Sequence, residues 1–401
     1  MKLKIEELNT GYEGRTKIVR FSARPIVIIA AVLVAVFLFV YILSTFGIIP
    51  VDAANAKIVS TITQDGENYP ITINSGSTIK ADVIGDSLYV LTVNDISVYT
   101  PRGNLKYSQP HSFASPSISV TGNKAIIYDR GDTGFMLVNE NKYVYSGNAD
   151  KKIFCAEYGE GGNYALGTEG TNSTSLFSVY DIRHNLIFSW ECDYEHIVSI
   201  ALSKDCNFAG VAVVSAENGE IFTTVNFFGF DYNDVLNSQM IKGSTAFGLD
   251  FTAYNTLTLF TDTGIYNVKK DAQEPVEVSG YYSSEFISYD VNSKGEFIIA
   301  LAKYGSVNEI NLVAYSKRGK EKCTVSCSES IEKVAFSDKY IFTLAENTIM
   351  VYNLRGKQVS KITVEGDVYS FIPNDRYIHL VSLDKISRCF SYGDSTVNVT
   401  L

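Results

Sequence analysis

Two patterns of hydrophobic and polar residues divide the chain. Residues 25–49 form an apolar run without a single charge. At a rise of about 1.5 Å per residue, a helix of this length crosses the roughly 30 Å hydrocarbon core of a bilayer. After residue 68, apolar and polar residues alternate in short runs that end at Asn, Asp and Gly, which is typical of β-strands joined by tight turns. The pattern predicts one transmembrane helix followed by a large all-β region.

The charges beside the apolar run predict its orientation. Four basic residues precede it with no acid among them: Arg15, Lys17, Arg20 and Arg24. Because basic residues favour the cytoplasmic side, we expect a cytoplasmic tail at 1–24, a single membrane span at 25–49, a spacer at 50–68 and an extracytoplasmic domain at 69–401. Cleavage after Ala56 is the alternative, since residues 54–56 read Ala-Asn-Ala. We favour a retained anchor because the apolar core of a cleavable signal is only about 7–15 residues long.

A nine-residue motif returns along the exterior region. In its four clearest copies, of which ISVYTPRGN at 96–104 is the first, a tyrosine stands fourth and an arginine seventh. These positions are Tyr99 and Arg102, Tyr180 and Arg183, Tyr315 and Arg318, and Tyr352 and Arg355. Weaker copies surround Val138, Val225, Tyr266 and Cys389. We expect the tyrosines to pack between repeats and the residues after the arginines to form tight turns, where glycine supplies a positive φ.

The spacing of the eight copies predicts how they assemble. Neighbouring copies are 37–49 residues apart, which matches one four-stranded blade of a β-propeller. A single blade cannot bury both of its faces, so blades stack around an axis. We predict an eight-bladed propeller, with seven blades as the alternative if one weak copy is misjudged. Either residues 69–74 add a strand to the last blade, or residues 396–401 complete it.

These repeats resemble the β-propeller superfamily, in particular its WD-repeat-like and quinoprotein-like members, over residues 58–401. The chain departs from both patterns because it has one tryptophan, Trp190, so neither the Trp-Asp signature nor the tryptophan docking motif recurs. We therefore expect no quinone, and no other cofactor. The layout of basic tail, single anchor and all-β exterior also resembles uncharacterised membrane-anchored propellers of Gram-positive bacteria. That likeness implies a place in the cell envelope and brings no known activity.

Charge and composition narrow the partners further. The whole chain carries −10, while residues 1–24 carry +3, so the remainder is strongly acidic and is not expected to bind nucleic acid. The six cysteines and four histidines lack the spacing of metal ligands, and we expect no metal site. Two Asp-Thr-Gly triplets, at 132–134 and 262–264, resemble the catalytic pair of aspartic proteases. They fall at equivalent hairpin turns, for which Asp-x-Gly is also the preferred sequence.

Aromatic residues on long connections are the candidate contacts. A stretch at 227–240 interrupts the fourth repeat, and two further tyrosines lie between repeats. The candidates are Phe227, Phe228, Phe230, Tyr232, Tyr281 and Tyr282. Aromatic residues on the loops of a rigid scaffold commonly bind partners; the alternative is that they plug the channel mouth or pack against the adjacent blade. We identify no converging ionisable residues and no catalytic residue. The favoured function is a non-catalytic binding or scaffold module for an envelope protein or polymer. The alternative is a hydrolase or lyase acting on envelope glycan or peptide at the propeller mouth.

Overall fold

The computed structural model describes residues 68–398 except 86, 233, 307–308, 374–375 and 392–394. These residues belong to the unit Ser60–Leu401. The predicted tail, the span at 25–49 and the cleavage position after Ala56 lie outside the described residues. Within the part that is described, no helix is both long and apolar enough to cross a membrane.

The described chain forms eight consecutive sheets of antiparallel strands. The first four are β2–β5 (Thr78–Ile84, Ser87–Thr92, Asp95–Tyr99, Leu105–Pro110), β6–β9 (Pro116–Thr121, Lys124–Asp129, Gly134–Asn139, Tyr143–Asn148), β10–β13 (Ile153–Tyr158, Tyr164–Glu169, Ser175–Tyr180, Leu186–Cys192) and β14–β17 (His196–Leu202, Phe208–Glu217, Glu220–Gly229, Asn237–Lys242). The next three are β18–β21 (Ala246–Ala253, Thr256–Thr261, Gly264–Lys269, Val276–Gly280), β22–β25 (Ser284–Val291, Phe297–Lys303, Ile310–Tyr315, Glu321–Cys327) and β26–β29 (Lys333–Phe336, Tyr340–Ala345, Thr348–Asn353, Gln358–Glu365). The eighth joins β30–β32 (Ser370–Pro373, Tyr377–Val381, Lys385–Phe390) to β1 (Ile71–Thr72). The eight-bladed propeller is confirmed, and the seven-bladed alternative is wrong.

The two ends of the propeller close different blades. β1 pairs with β32, and Ile71 lies opposite Ile386, so the first strand completes the eighth blade. The last strand, β33 (Ser395–Asn398), pairs in parallel with β29 as a fifth strand of the seventh blade. Closure by residues 69–74 is therefore confirmed, and closure of the last blade by residues 396–401 is wrong. The physical reason is that β1 already occupies the outer edge of β32. The outer edge of β29 has no other partner strand among the described residues, so β33 can pair with it.

Apolar packing between blades stabilises the ring. The second strand of blade 1, β3, is buried along its whole length, because neighbouring blades cover both of its faces. Leu91 and Val98, which expose no surface, meet Ala125 and Ile127 of blade 2. Full burial of a Leu or Val side chain contributes about 1.5–3 kcal/mol relative to exposure. In the outermost strand, β5, exposed residues alternate with half-buried ones over most of its length, as expected at the outer edge of the propeller.

The motif copies lie in the third strand of their blades. A register shift falls immediately before Tyr99, Tyr180, Tyr315 and Tyr352, and each tyrosine belongs to an apolar cluster that includes the preceding blade. Arg102, Arg183, Arg318 and Arg355 occupy the turns that follow. Gly103, Gly319 and Gly356 after them have φ of 83°, 81° and 77°, where a side chain is disfavoured.

The propeller presents two faces, which differ in the segments that they carry. The turn face carries the turns that join the first to the second and the third to the fourth strand of each blade. The connection face carries the turns between second and third strands and the segments between blades. Its described residues are 73–77, 93–94, 111–115, 130–133, 149–152, 170–174, 193–195, 218–219, 243–245, 262–263, 281–283, 304–306, 309, 328–332, 346–347, 366–369 and 382–384.

Candidate functional site

The first strands of the blades surround the axis, and two cavities lie along it. A cavity of about 1070 Å³ is lined by the first strands of blades 1, 2, 5, 6, 7 and 8. A second cavity, of about 670 Å³, is lined by those of blades 3, 4 and 5. Both reach residues of the turn face, among them Glu160 and Gly295. The axis is therefore an accessible channel rather than a filled core.

Four carboxylic acids line this channel at a similar depth. Asp82 lies on β2, Glu157 on β10, Asp250 on β18 and Asp290 on β22. Each stands within three residues of the end of its strand at the turn face. Because side chains alternate along a strand, one acid per strand suffices to place a carboxyl group on the channel wall. We call these residues the channel acids.

Burial raises the pKa of every channel acid. The pKa of Glu157 and that of Asp290 rise to about 7, and that of Asp250 rises to about 6, mainly because burial disfavours the ionised form. Burial also raises the pKa of Asp82. Repulsion adds to this, since Asp250 raises the pKa of Glu157 and Asp82 raises that of Asp290. Each of the four carboxyl groups therefore binds its proton more tightly than an exposed carboxyl group does.

Hydrogen bonds join two channel acids to neighbouring blades. Ser119 Oγ donates to Glu157 Oε2 over 2.5 Å, and Thr121 donates to the other oxygen. The backbone N–H of Phe336 donates to Asp290 Oδ2 over 2.8 Å. These bonds link blade 2 to blade 3 and blade 6 to blade 7, and they favour the ionised carboxylates against the effect of burial.

Two lysines share the channel with the acids. Lys333 Nζ donates to Ser370 Oγ over 2.6 Å, and burial lowers the pKa of this lysine while Asp290 and Asp82 oppose the shift. Lys80 lies on β2 and also lines the larger cavity. The raised pKa values of Glu157, Asp250 and Asp290 are a property that catalytic acids and bases often share. Among the described residues, no group of three or more His, Cys, Asp or Glu is arranged to hold a metal ion.

The sequence analysis did not find this convergence. Each channel acid is the single acid near the end of an otherwise mostly apolar strand, as in FGLDF around Asp250. An acid inside an apolar strand was the available signal. It could be used only once the first strands were known to face the axis, which the repeat pattern alone does not establish.

Three of the predicted contact residues pack inside the blades. Phe227 and Phe228 are 1% and 0% exposed on β16. The Phe228 ring lies 5.4 Å from that of Phe177 and 5.0 Å from that of Trp190. Phe230 is partly buried against Phe188 at 5.8 Å. The structure therefore places these three phenylalanines in core packing, the alternative considered above, because β16 is longer than expected and includes Phe227 and Phe228.

The three predicted tyrosines do not form one site. Tyr232 is 57% exposed on the turn face. Tyr281 is 4% exposed and stacks against Phe286, so a partner cannot reach it. Tyr282 is 88% exposed on the connection face, and its hydroxyl donates to Glu277 Oε1 over 2.5 Å. Only Tyr232 and Tyr282 are available for contact, and they lie on opposite faces.

The Asp-Thr-Gly triplets serve two separate turns. Asp132 lies in the turn of blade 2, where its carboxylate accepts from the N–H of Thr133 over 2.7 Å. Asp262 lies in the equivalent turn of blade 5 and accepts from the N–H of Thr245 over 2.7 Å. Each carboxylate holds a local backbone segment in place. The two triplets belong to blades 2 and 5, so they do not form a pair.

A comparison with protein-family models finds one match that covers most of the chain. Residues 60–388 match the model of a family of unknown function, DUF5711. The chain belongs to this family. No curated protein matches it.

Solved structures resemble this DUF5711 member in fold. The C-terminal WD40 domain of Sif2 superposes with a TM-score of 0.56 at 11% identity, covering 80% of this chain and 99% of that one. A eukaryotic initiation factor gives a TM-score of 0.54 at 13% identity, covering 77% and 82%. BamB from Moraxella catarrhalis gives 0.51 at 10% identity, covering 80% and 99%. At these identities the likeness shows the propeller fold alone, and it does not bear on the resemblance to anchored propellers of Gram-positive bacteria.

Proposed function

We propose that this DUF5711 chain is a single-pass membrane protein whose propeller lies outside the cytoplasm and binds an envelope protein or polymer without catalysing a reaction. The observation that carries the proposal is the closed eight-bladed ring, which fits a binding or scaffold module. In such a ring every blade is held by its neighbours, so the loops of both faces are presented by a rigid body.

The described part of the chain begins at the turn face. Asn68 donates from its side chain to Asn104 Oδ1 over 2.5 Å, and Asn104 lies in an Arg-Gly turn of that face. The connection face lies at the other end of the strands, so the propeller offers a partner two separate surfaces.

A topology experiment tests the location. An epitope tag is placed at Leu401 in one strain and before Lys2 in another, and protease is added to intact cells. We expect loss of the C-terminal tag and survival of the N-terminal one, because only the propeller faces outward. A C-terminal tag that resists protease until the membrane is opened would contradict the proposed location.

A cross-linking experiment tests binding. A photoreactive amino acid replaces Tyr282 on the connection face of the full chain, and in a matched strain it replaces Tyr254, which is 79% exposed on the turn face. After illumination of intact cells, mass spectrometry identifies the adducts. We expect a reproducible envelope component from at least one position. The absence of such a component at both positions would contradict a binding module.

The channel acids favour a second candidate, a hydrolase or lyase acting on envelope glycan or peptide. Carboxyl groups with pKa values near neutral suit proton transfer in glycoside hydrolysis, in which one group is an acid and the other a base or nucleophile. The test incubates isolated envelope glycan with the full chain and with a Glu157→Gln/Asp250→Asn variant. Product released by the native chain alone would support the enzyme, and intact substrate in both samples would support the binding module.

A further inference from the structure

Acidic residues dominate the connection face. Its segments contain eleven acidic residues and three basic ones, which are Arg130, Lys151 and Lys152. Among the described residues, the corresponding segments of the turn face contain ten acidic residues and thirteen basic ones. The negative charge of the propeller is therefore concentrated on one face. Such an excess raises the local concentration of cationic partners and accelerates their association.

Exposed aromatic rings accompany this charge. Tyr194, Tyr282 and Tyr304 are 88%, 88% and 82% exposed, and all three belong to the connection face. Most tyrosines elsewhere in the described chain are at least partly covered by neighbouring side chains. Exposed tyrosine is enriched at protein interfaces because its ring gives apolar contact while its hydroxyl stays hydrated. The rings are a second property of this face, independent of its charge.

The segments that carry two of the rings are joined at the junction of blades 5 and 6. The backbone N–H of Tyr304 donates to the carbonyl of Ser283, the residue after Tyr282, over 3.0 Å. Beside them, Phe247 is 40% exposed with its ring 4.7 Å from that of Phe286. We call Phe247, Tyr282 and Tyr304 the aromatic rim. It is supported by backbone hydrogen bonding and ring packing rather than by a free loop.

Three carboxylates lie on the segments that carry the aromatic rim. Glu277 accepts from the Tyr282 hydroxyl and holds that ring in place. Glu285 is exposed on β22, and Glu309 is exposed in the same turn as Tyr304, where it pairs with Lys303 at 2.6 Å. A lysine or arginine that approaches the rim therefore meets both an aromatic face and a carboxylate, which together bind a cation better than either alone.

We infer that the connection face binds a lysine- or arginine-rich segment of a partner protein, with the aromatic rim as its centre. The inference rests on the proposed binding function and adds the face and the chemistry of the partner. Charge complementarity decides between occupants: a neutral glycan would use the rings but not the carboxylates, and an anionic polymer would be repelled by them.

The experiment uses a fluorescent oligolysine peptide of about ten residues as the probe and the full chain in neutral detergent. Fluorescence anisotropy gives the dissociation constant at low and at moderate salt. We expect binding that weakens as salt rises, because exposed charges are screened within about 10 Å at 0.1 M. A Tyr282→Ala/Tyr304→Ala variant should bind about fivefold or more weakly, since two exposed cation–π contacts are lost.

A matched variant tests whether the loss of oligolysine binding is specific to rings on the connection face. Tyr254→Ala removes an equally exposed ring from the turn face and should change the dissociation constant less than twofold. Circular dichroism checks that each variant keeps its sheet content. Equal losses in both variants, no detectable oligolysine binding, or equal binding of an oligoglutamate peptide would overturn the inference. If an envelope component is cross-linked only from position 254, the binding function stands and this assignment of the face fails.

Discussion

The two faces of the propeller differ in how their charges are compensated. On the turn face, ion pairs such as Lys294–Asp338 at 2.7 Å and Lys204–Glu160 at 3.3 Å join the turns of neighbouring blades. On the connection face, acids outnumber bases, and the pair described above, Lys303–Glu309, lies within a single turn. Compensated charge allows turns from different blades to pack closely. On the connection face the uncompensated negative charges repel one another, which does not favour stability. A cationic partner explains this charge better than a structural role does.

Reversing the charge beside the aromatic rim should change oligolysine binding most strongly. A Glu277→Lys/Glu285→Lys/Glu309→Lys variant is expected to weaken oligolysine binding on the order of 100-fold, because each reversal changes the binding free energy by about 1 kcal/mol. Titration by fluorescence anisotropy at low salt measures the effect.

The control changes the net charge by the same amount on the other face. An Asp231→Lys/Asp271→Lys/Glu274→Lys variant alters three exposed acids of the turn face. Its binding should fall by less than about fivefold, through the long-range field alone. Similar losses in the two variants would show that oligolysine senses only the total charge of the chain.

Two glycines with positive φ should show that the turn face is the more tightly packed. Gly295 has a φ of 75°, and a Cβ there would lie 2.3 Å from the carbonyl oxygen of Thr252 in the neighbouring blade. Gly219 on the connection face has a φ of 82° with nothing within 4 Å. Both alanine variants lose about 1 kcal/mol to backbone strain, and Gly295→Ala should lose a further 1–3 kcal/mol to overpacking.

Urea unfolding at a fixed pH measures the difference between these two variants. The midpoint of Gly295→Ala is expected well below that of Gly219→Ala, while the slope of the transition is unchanged because the surface exposed on unfolding is the same. Midpoints that coincide would mean that blades 5 and 6 separate easily at the turn face.

The pH dependence of stability should reveal the channel acids, which open toward the turn face. The folded pKa of Glu157, about 7, exceeds its unfolded value, so the folded state binds the proton more tightly. Its effect is therefore destabilising above pH 7 and is relieved as the pH falls from about 7 toward 4.5. We expect Glu157→Gln to be more stable than the native chain at pH 8, by about 2 kcal/mol, and the advantage to vanish near pH 5.

The control for the pH experiment is Glu274→Gln, which removes an exposed acid from the turn face and should leave the pH profile unchanged. Unfolding free energies at pH 5, 6.5 and 8 give the three profiles. A Glu157→Gln variant that is less stable than the native chain at pH 8 would mean that the hydrogen bonds from Ser119 and Thr121 outweigh the burial of the charge.

The comparison of the faces also explains which features the sequence could predict. The blade number followed from the spacing of the motif copies, because every blade must present an apolar or aromatic residue of its third strand to a neighbouring blade. The positions of Phe227 and Phe228 did not follow, since a strand that continues past its usual length looks the same in sequence as an aromatic loop. Nor did the channel acids, because their convergence depends on the ring, in which residues about forty or more apart along the chain face a common axis.

The charge of the connection face was also present in the sequence but could not be assigned. The overall charge of −10 gives no location, and the segments that carry the excess are dispersed in pieces of two to six residues. Only the order of strands assigns alternate segments to opposite ends. Once that order is known, the sequence alone suffices to sum the charge of each face.

Removing a single ion pair from either face should change stability and oligolysine affinity only slightly. Lys294→Ala on the turn face should lower the free energy of unfolding by less than 1 kcal/mol, since the Lys294 side chain is 60% exposed and such pairs are screened.

Lys303→Ala on the connection face should change stability even less, because its partner is 60% exposed and lies in the same turn. It should instead tighten oligolysine binding about twofold to threefold, because it leaves Glu309 available to the peptide and removes a competing cation. Lys294→Ala should leave that affinity unchanged in the same anisotropy titration. A Lys303→Ala variant that binds oligolysine more weakly would mean that Lys303 supports the aromatic rim rather than neutralising the carboxylate beside it.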